Sequence, residues 1–295
     1  MSRVRLFLIL ILAALVGGGA ASVTTRYFLQ GTSTAPVRES AYARVMRTGT
    51  LRCGYIVFPG LFARDPNTGV FSGPIVDILQ EMGKQLSLKV EWTEEIGFSN
   101  AFEGLKSGRY DAACFLFTQT PGRARANEFT EPVVFMPYNL YSRADDTRFD
   151  HAFAKINDSS VKVVVLEGEM SQTVRAEEFP NATPWALTNL TDASQVLLDV
   201  SLGKADVAMT VSPSAFLFMQ KNSGKIRRVE GPPLRMQPGS FGVGVGEEEL
   251  KSLLNTTITA LHNTGFIERT FHHHAAEPGM FFFPATPWKA AGAGS

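Results

Sequence analysis

The sequence is poor in cysteine. Only Cys53 and Cys114 occur in 295 residues, too few for the disulfide framework of a small secreted scaffold and without the close pairs of a zinc cluster. It is equally poor in uncompensated charge, because Lys plus Arg and Asp plus Glu both number 28. With no basic surplus to displace counterions from phosphates, nucleic acid is excluded as a partner. Charged residues make up 19% of the chain against 44% apolar, so there is apolar surface to bury and disorder is excluded as the main state. Length and composition fit one large or two medium globular domains. No cofactor and no metal are expected. The run His272, His273, His274 invites a metal reading, but consecutive residues of a helix point in different directions, so the run reads as a helix end.

The first residues indicate export. Arg3 and Arg5 precede an unbroken apolar run over 6–16, followed by the small residues of 17–22, the three-part pattern of a secretory signal peptide. Extended to Val23 the uncharged stretch has 18 residues, near the minimum for a membrane span, so an uncleaved signal anchor is the second reading. No cysteine follows the run, which excludes a lipid anchor. Residues 23–40, with Gly, Pro, Ser and Thr and no periodicity, read as a linker.

The folded part is expected from Ala41. Residues 51–58 (LRCGYIVF) form a short apolar run bounded by Gly49 and Pro59, as in a buried strand. Pro74 then opens a helix that carries Ile75, Ile78, Leu79, Met82 and Leu86 at helical spacing. A strand over 89–93, a helix over 100–107 and an apolar strand over 111–117 complete a β-α-β-α-β pattern, the mark of a parallel sheet covered by helices. The pattern repeats with strand 161–166, helices 171–178 and 192–202, and strand 207–211. Two extended segments, 131–141 and 238–245, separate and follow this second lobe and suggest a hinge of two crossings. A long amphipathic helix over 247–263 is expected to return to the first lobe.

In this order the signals resemble the periplasmic solute-binding proteins of family 3, receptors that deliver polar amino acids and related solutes to ABC importers. The resemblance covers about residues 41–274. It rests on RTGTLRCGY (47–55), GVFSGPIVDILQEMGKQLSLKVEW (69–92), FSNAFEGLKSGRYDAA (98–113), TQTPGRARANEFTEP (118–132), GKADVAM (203–209) and FGVGV (241–245). It implies an α/β, two-lobed periplasmic-binding-protein type 2 fold with two crossing strands as hinge. Residues 41–131 and 246–274 would form lobe 1, 132–245 lobe 2 with the crossings, and 275–295 a C-terminal tail. The implied protein is a periplasmic, non-enzymatic monomer that closes on a small carboxylate and presents its lobes to an inner-membrane ABC permease, with an N-terminal membrane tether if the signal is retained.

The resemblance also implies roles for particular residues. Arg123 matches the arginine that grips the ligand carboxylate, a task suited to the paired donors of a guanidinium. Thr118 matches a strand-end threonine that holds the same ligand, and Phe98 falls where the family places an aromatic wall. Tyr55, Phe58 and Phe117 lie at or near strand ends, where cleft residues collect in open α/β sheets. Residues 168–171, with Glu169, Met170 and Ser171, resemble the loop that donates backbone N–H groups. One position departs from the pattern: Val211 stands where the family usually carries an Asp for the ligand's α-ammonium. A buried ammonium without a partner is costly, so the ligand is expected either to lack that group or to meet it with Glu169. The rival functions are a dehydratase resembling cyclohexadienyl dehydratase, with Glu169 as its acid, and a membrane-tethered sensor. For Cys53 and Cys114 an oxidising periplasm favours a disulfide, while apolar surroundings and the geometry of paired strands favour two buried thiols. The stretch 280–284 (MFFFP) is too short to span a bilayer and is expected to pack across a lobe.

Overall fold

The computed structural model describes residues 39–189, 191–275 and 277–284. The expected signal or anchor, nearly all of the linker and the end of the tail lie outside them. The chain divides into a unit of residues 1–39 and a unit of residues 40–295, and every element below belongs to the second.

Helix α1 (Ala41–Thr48) starts at Ser40, whose side chain accepts from the Ala43 N–H, and stops at Gly49 in the left-handed region. Strand β1 (Thr50–Tyr55) follows, then a small hairpin of β2 (Ala63–Arg64) and β3 (Phe71–Ser72). Pro74 opens α2 (Pro74–Gln85), which buries Ile75, Ile78, Leu79 and Met82 as the spacing predicts. Next come β4 (Lys89–Glu95), α3 (Glu103–Ser107), the fully buried β5 (Ala112–Phe117) and the single turn α4 (Pro121–Ala124). After β6 (Glu128–Phe129) the chain crosses on the long strand β7 (Val134–Arg143). The second lobe contains β8 (Lys162–Leu166), α5 (Met170–Glu178), β9 (Thr183–Leu187), α6 (Gln195–Ser201), β10 (Val207–Val211), α7 (Ser212–Lys221) and β11 (Ile226–Arg228). Strand β12 (Arg235–Val243) crosses back to α8 (Glu248–Asn263) and α9 (Phe266–His274).

The strands join in the order β4-β1-β5-β12-β7-β10-β8-β9, with β6 on β12 and β11 on β7. β1 is parallel to β4 and β5, and β8 is parallel to β9 and β10, whereas β7 and β12 run antiparallel to their neighbours. The hinge is read directly from the register of β12. Its residues Arg235 to Gly239 pair with β7, and its residues from Ser240 onward pair with β5. The crossings are laced where they change sheet: Val133 N–H donates to Gly239 O at 2.8 Å, and Phe241 N–H to Thr130 Oγ1 at 3.0 Å.

Each lobe fixes its first strand by the same device. Asp111 accepts from Arg52 N–H at 2.9 Å while its own N–H donates to Arg52 O. Asp206 accepts from Lys162 N–H at 2.9 Å and donates its N–H to Lys162 O. These are the aspartates of GRYDAA and GKADVAM, so both motifs stabilise strand pairing through charge-assisted hydrogen bonds.

Several elements lie beyond the sequence expectations. The β2-β3 hairpin, β9 and α7 were unpredicted; the last follows β10 without a break, so its apolar side chains merge with the strand run. Helix α6 begins at Gln195 because Asp192 folds back to accept from the Ser194 N–H at 2.8 Å. Cys53 and Cys114 form a disulfide. Cys53 faces Ala112 in the β1-β5 register, so Cys114 lies diagonal to it, with Cα atoms 5.3 Å apart. The tail packs as a strap: Phe281 lies tilted against Phe271 with centroids 4.7 Å apart, and Phe282 bridges to Phe135 of β7. Of the three histidines, His274 meets Asp77 at 2.7 Å with its ring edge-on to His273, centroids 5.4 Å apart, while His272 faces Glu268 at 3.9 Å.

Candidate functional site

A small cavity of about 30 Å³ lies between the lobes against the crossing strands. The lobes meet beside it, with Gly168 of the second packed against the backbone of Phe98 and Ser99 of the first, so the cleft stands nearly shut. Its lining combines Phe58, Phe98, Phe117, Thr118, Arg123, Glu169, Met170 and Val211, all singled out from sequence, with Leu61, Phe115, Leu116, Met136 and Gln237.

Arg123 is placed by a short turn. Thr120 caps it, its side-chain oxygen accepting from the Arg123 N–H at 3.2 Å, and Pro121 fills the first position, where its missing donor costs nothing. The guanidinium is partly buried and spans the cleft. Nη1 donates to Thr118 O on the first lobe at 2.9 Å, and Nη2 to Gly168 O on the second at 2.7 Å. Burial pulls its pKa below the usual arginine value, opposed by the charge of Glu169. The guanidinium carbon lies 5.8 Å from the centroid of the Phe117 ring, close enough for a cation–π contact.

The aromatic wall is continuous. Phe98 meets Phe58, Phe115 and Phe117 edge-on at 6.1, 5.7 and 6.3 Å between centroids. Val211 ends β10 in the same wall and is 5% exposed. Glu169 caps α5, accepting from the Ser171 N–H at 2.6 Å, and both its oxygens also face the Tyr138 hydroxyl, the nearer at 3.0 Å. Burial, followed by the charge of Glu169, pushes the Tyr138 phenol well above its usual pKa.

Two expected residues are elsewhere. Tyr55 does not line the cavity: it stacks on Phe62 at 5.3 Å and meets Phe71 and Trp92 edge-on, because its side chain leaves β1 towards the hairpin. Ser171 is likewise withdrawn, its hydroxyl accepting from the Leu166 N–H at 3.0 Å. Three of the four backbone donors in the loop that resembles a donor site are used locally, since Gly168 N–H goes to the Gln172 side chain, Glu169 N–H to Leu166 O and Ser171 N–H to Glu169. Gln237, Leu61, Met136, Phe115 and Leu116 were missed: Gln237 had a weak signal as the lone amide of its crossing, Phe115 and Leu116 lay within the apolar run of 111–117, and the other two had none.

Two α/β lobes, joined by a pair of crossing strands with an arginine between them, define a bilobed solute-binding fold. The chain belongs to the bacterial extracellular solute-binding proteins, family 3, whose model matches residues 57–276. No curated protein matches it. Among solved structures it is similar to the ancestral amino acid-binding protein AncCDT-1, a precursor of cyclohexadienyl dehydratase, with TM-score 0.71, 23% identity, and 80% of this chain and 99% of that one covered. The cysteine-binding protein of Campylobacter jejuni aligns with TM-score 0.70 at 17% identity, covering 81% and 94%. The substrate-binding protein AbpA of Streptococcus pneumoniae, solved bound to L-arginine, aligns with TM-score 0.69 at 16% identity, covering 78% and 96%. Among the described residues no helix is long and apolar enough to cross a membrane.

Proposed function

We propose that this chain is the exported receptor of an ABC importer and that its cleft takes a small molecule with a carboxylate and no α-ammonium. Arg123 carries the reading. Its guanidinium bonds one carbonyl from each lobe and keeps further N–H donors for a carboxylate fork. A ligand held there touches both lobes only when they are closed, so it favours the closed form by its difference in affinity between the two states. That form is what a permease would read.

The missing ammonium follows from what surrounds Arg123. Val211 offers no charge, and Glu169, the sole acid lining the cavity, already accepts from Ser171 and Tyr138. Calorimetry of the purified protein against amino acids and their deaminated counterparts tests this, with the deaminated acids expected to bind more tightly. Tighter binding of the amino acids would assign their ammonium to Glu169, and binding of neither would end the receptor reading.

A dehydratase is the second reading, favoured by the Glu169 carboxylate in the cavity and by the likeness to a dehydratase precursor. It lacks a second acid or base, since Arg123 and Glu169 are the only charged residues of the lining. Product formed from prephenate or arogenate would decide for it.

A further inference from the structure

One polar side chain of the cleft is only half engaged by the fold. Gln237 sits on β12 opposite Met136 of β7, and both residues line the cavity. The glutamine is 6% exposed. Its Oε1 accepts from the Thr118 hydroxyl at 3.2 Å, while its Nε2 is buried without any hydrogen-bond partner. An amide donor buried in this way destabilises the folded state, and an apolar side chain of similar size would avoid the cost. The orphan donor therefore points to a partner that arrives with the ligand.

Thr118 ties this donor to the arginine. Its carbonyl accepts from Arg123 Nη1 at 2.9 Å and its hydroxyl serves Gln237, so one residue holds two donor groups within reach of one small molecule. Apart from Glu169, whose oxygens already accept from Ser171 and Tyr138, the rest of the wall is apolar: Phe58, Leu61, Phe115 and Leu116 offer no side-chain acceptor. A donor-rich, acceptor-poor cleft suits a ligand with adjacent acceptor oxygens and an apolar body.

From this we infer that Gln237 determines specificity and that the solute is a small 2-oxo acid, with its carboxylate on Arg123 and its 2-oxo oxygen accepting from Gln237 Nε2. The inference rests on the carboxylate reading above. The matching amino acid would set N–H donors against the Gln237 donor, and the plain acid would leave that donor unpaired.

Calorimetry with two matched sets tests it: propionate, pyruvate and alanine, then 4-methylpentanoate, 4-methyl-2-oxopentanoate and leucine. In at least one set the 2-oxo acid is expected to bind about tenfold more tightly than the plain acid, the worth of one hydrogen bond to a buried donor. Gln237→Leu, with Gln237→Met as a near-isosteric second variant, should bring the pair to within about twofold while the plain acid keeps its affinity. Both variants should melt no lower than the unsubstituted protein. The inference is overturned if the plain acid or the amino acid binds as tightly as the 2-oxo acid, or if the preference survives both substitutions. If no acid of either set binds the unsubstituted protein, the carboxylate reading falls with it; plain acids binding with no gain from the 2-oxo group overturn this inference alone.

Discussion

Replacing Gly168 by alanine separates closure from folding. Gly168 has φ +76°, and a Cβ built there would lie 2.4 Å from Ser99 N, 2.5 Å from Ser99 Cα and 2.7 Å from Phe98 C. All three are backbone atoms of the opposite lobe, so no rotamer change relieves the clash. Carbon atoms need about 3.5 Å, so the lobes must part by roughly 1 Å at this point. The bond from Arg123 Nη2 to Gly168 O, now 2.7 Å, would stretch to about 3.7 Å, beyond hydrogen-bond length. A hydrogen bond from a charged donor contributes about 1.5–3 kcal/mol, so affinity for the acids above should fall about 10- to 150-fold. Folding suffers separately and less. A left-handed alanine costs about 1–2 kcal/mol, and the melting temperature should drop by several degrees while the transition stays cooperative. Calorimetry measures the affinity, and small-angle scattering with saturating acid should find a larger radius of gyration than for the unsubstituted protein. A Gly168→Ala variant with unchanged affinity and an unchanged radius would refute the argument, because Gly168 would then not be where the lobes meet.

Two further predictions concern stability. Replacing Cys53 and Cys114 together by alanine removes a cross-link between positions 61 residues apart; chain entropy puts the loss at about 4 kcal/mol, read as the shift in a urea unfolding curve, and a loss well under 1 kcal/mol would show that the disulfide does not constrain the unfolded chain. His262 on α8 is half-buried, and the desolvation lowers its pKa below 6.5. Between that lowered value and 6.5 the unfolded chain binds more protons than the folded one, so this contribution to stability is fully present above about pH 6.5 and declines as the pH falls through the window. Urea midpoints between pH 7.5 and 5 should show the decline, and His262→Gln should reduce it; an identical slope in the variant would remove His262 as the cause.

Much of the fold was legible because its signals are local. Pro74 at a helix start, the spacing Ile75, Ile78, Leu79, Met82, and the glycine stops at Gly49 and Gly108 state their structure within a few residues. What escaped depends on partners distant in sequence. β9 carries Thr183, Pro184 and Trp185 with little burial and is a strand because β8 offers its edge, which propensity cannot report. The disulfide stayed undecided for a similar reason. Two cysteines on neighbouring strands leave the register open, and the diagonal placement of Cys114 is what brings the sulfurs together.

The site was legible only in part, and the division follows from the lobes. Arg123, Thr118 and the phenylalanines sit in segments where turn, strand end and aromatic run coincide, so their places follow from the chain around them. The contacts that give them meaning are made across the gap: Arg123 with Gly168, at a sequence separation of 45, and Thr118 with Gln237, at 119. No periodicity encodes such pairs. Tyr55 shows the converse, since a strand-end aromatic can turn to either face, and the hairpin that captures it was itself invisible in the sequence. Gln237 follows the same logic. On β12 it looks like any polar residue before a proline, and only the closed cleft shows that half of its amide is engaged by Thr118 while the other half has been left for something the protein does not itself supply.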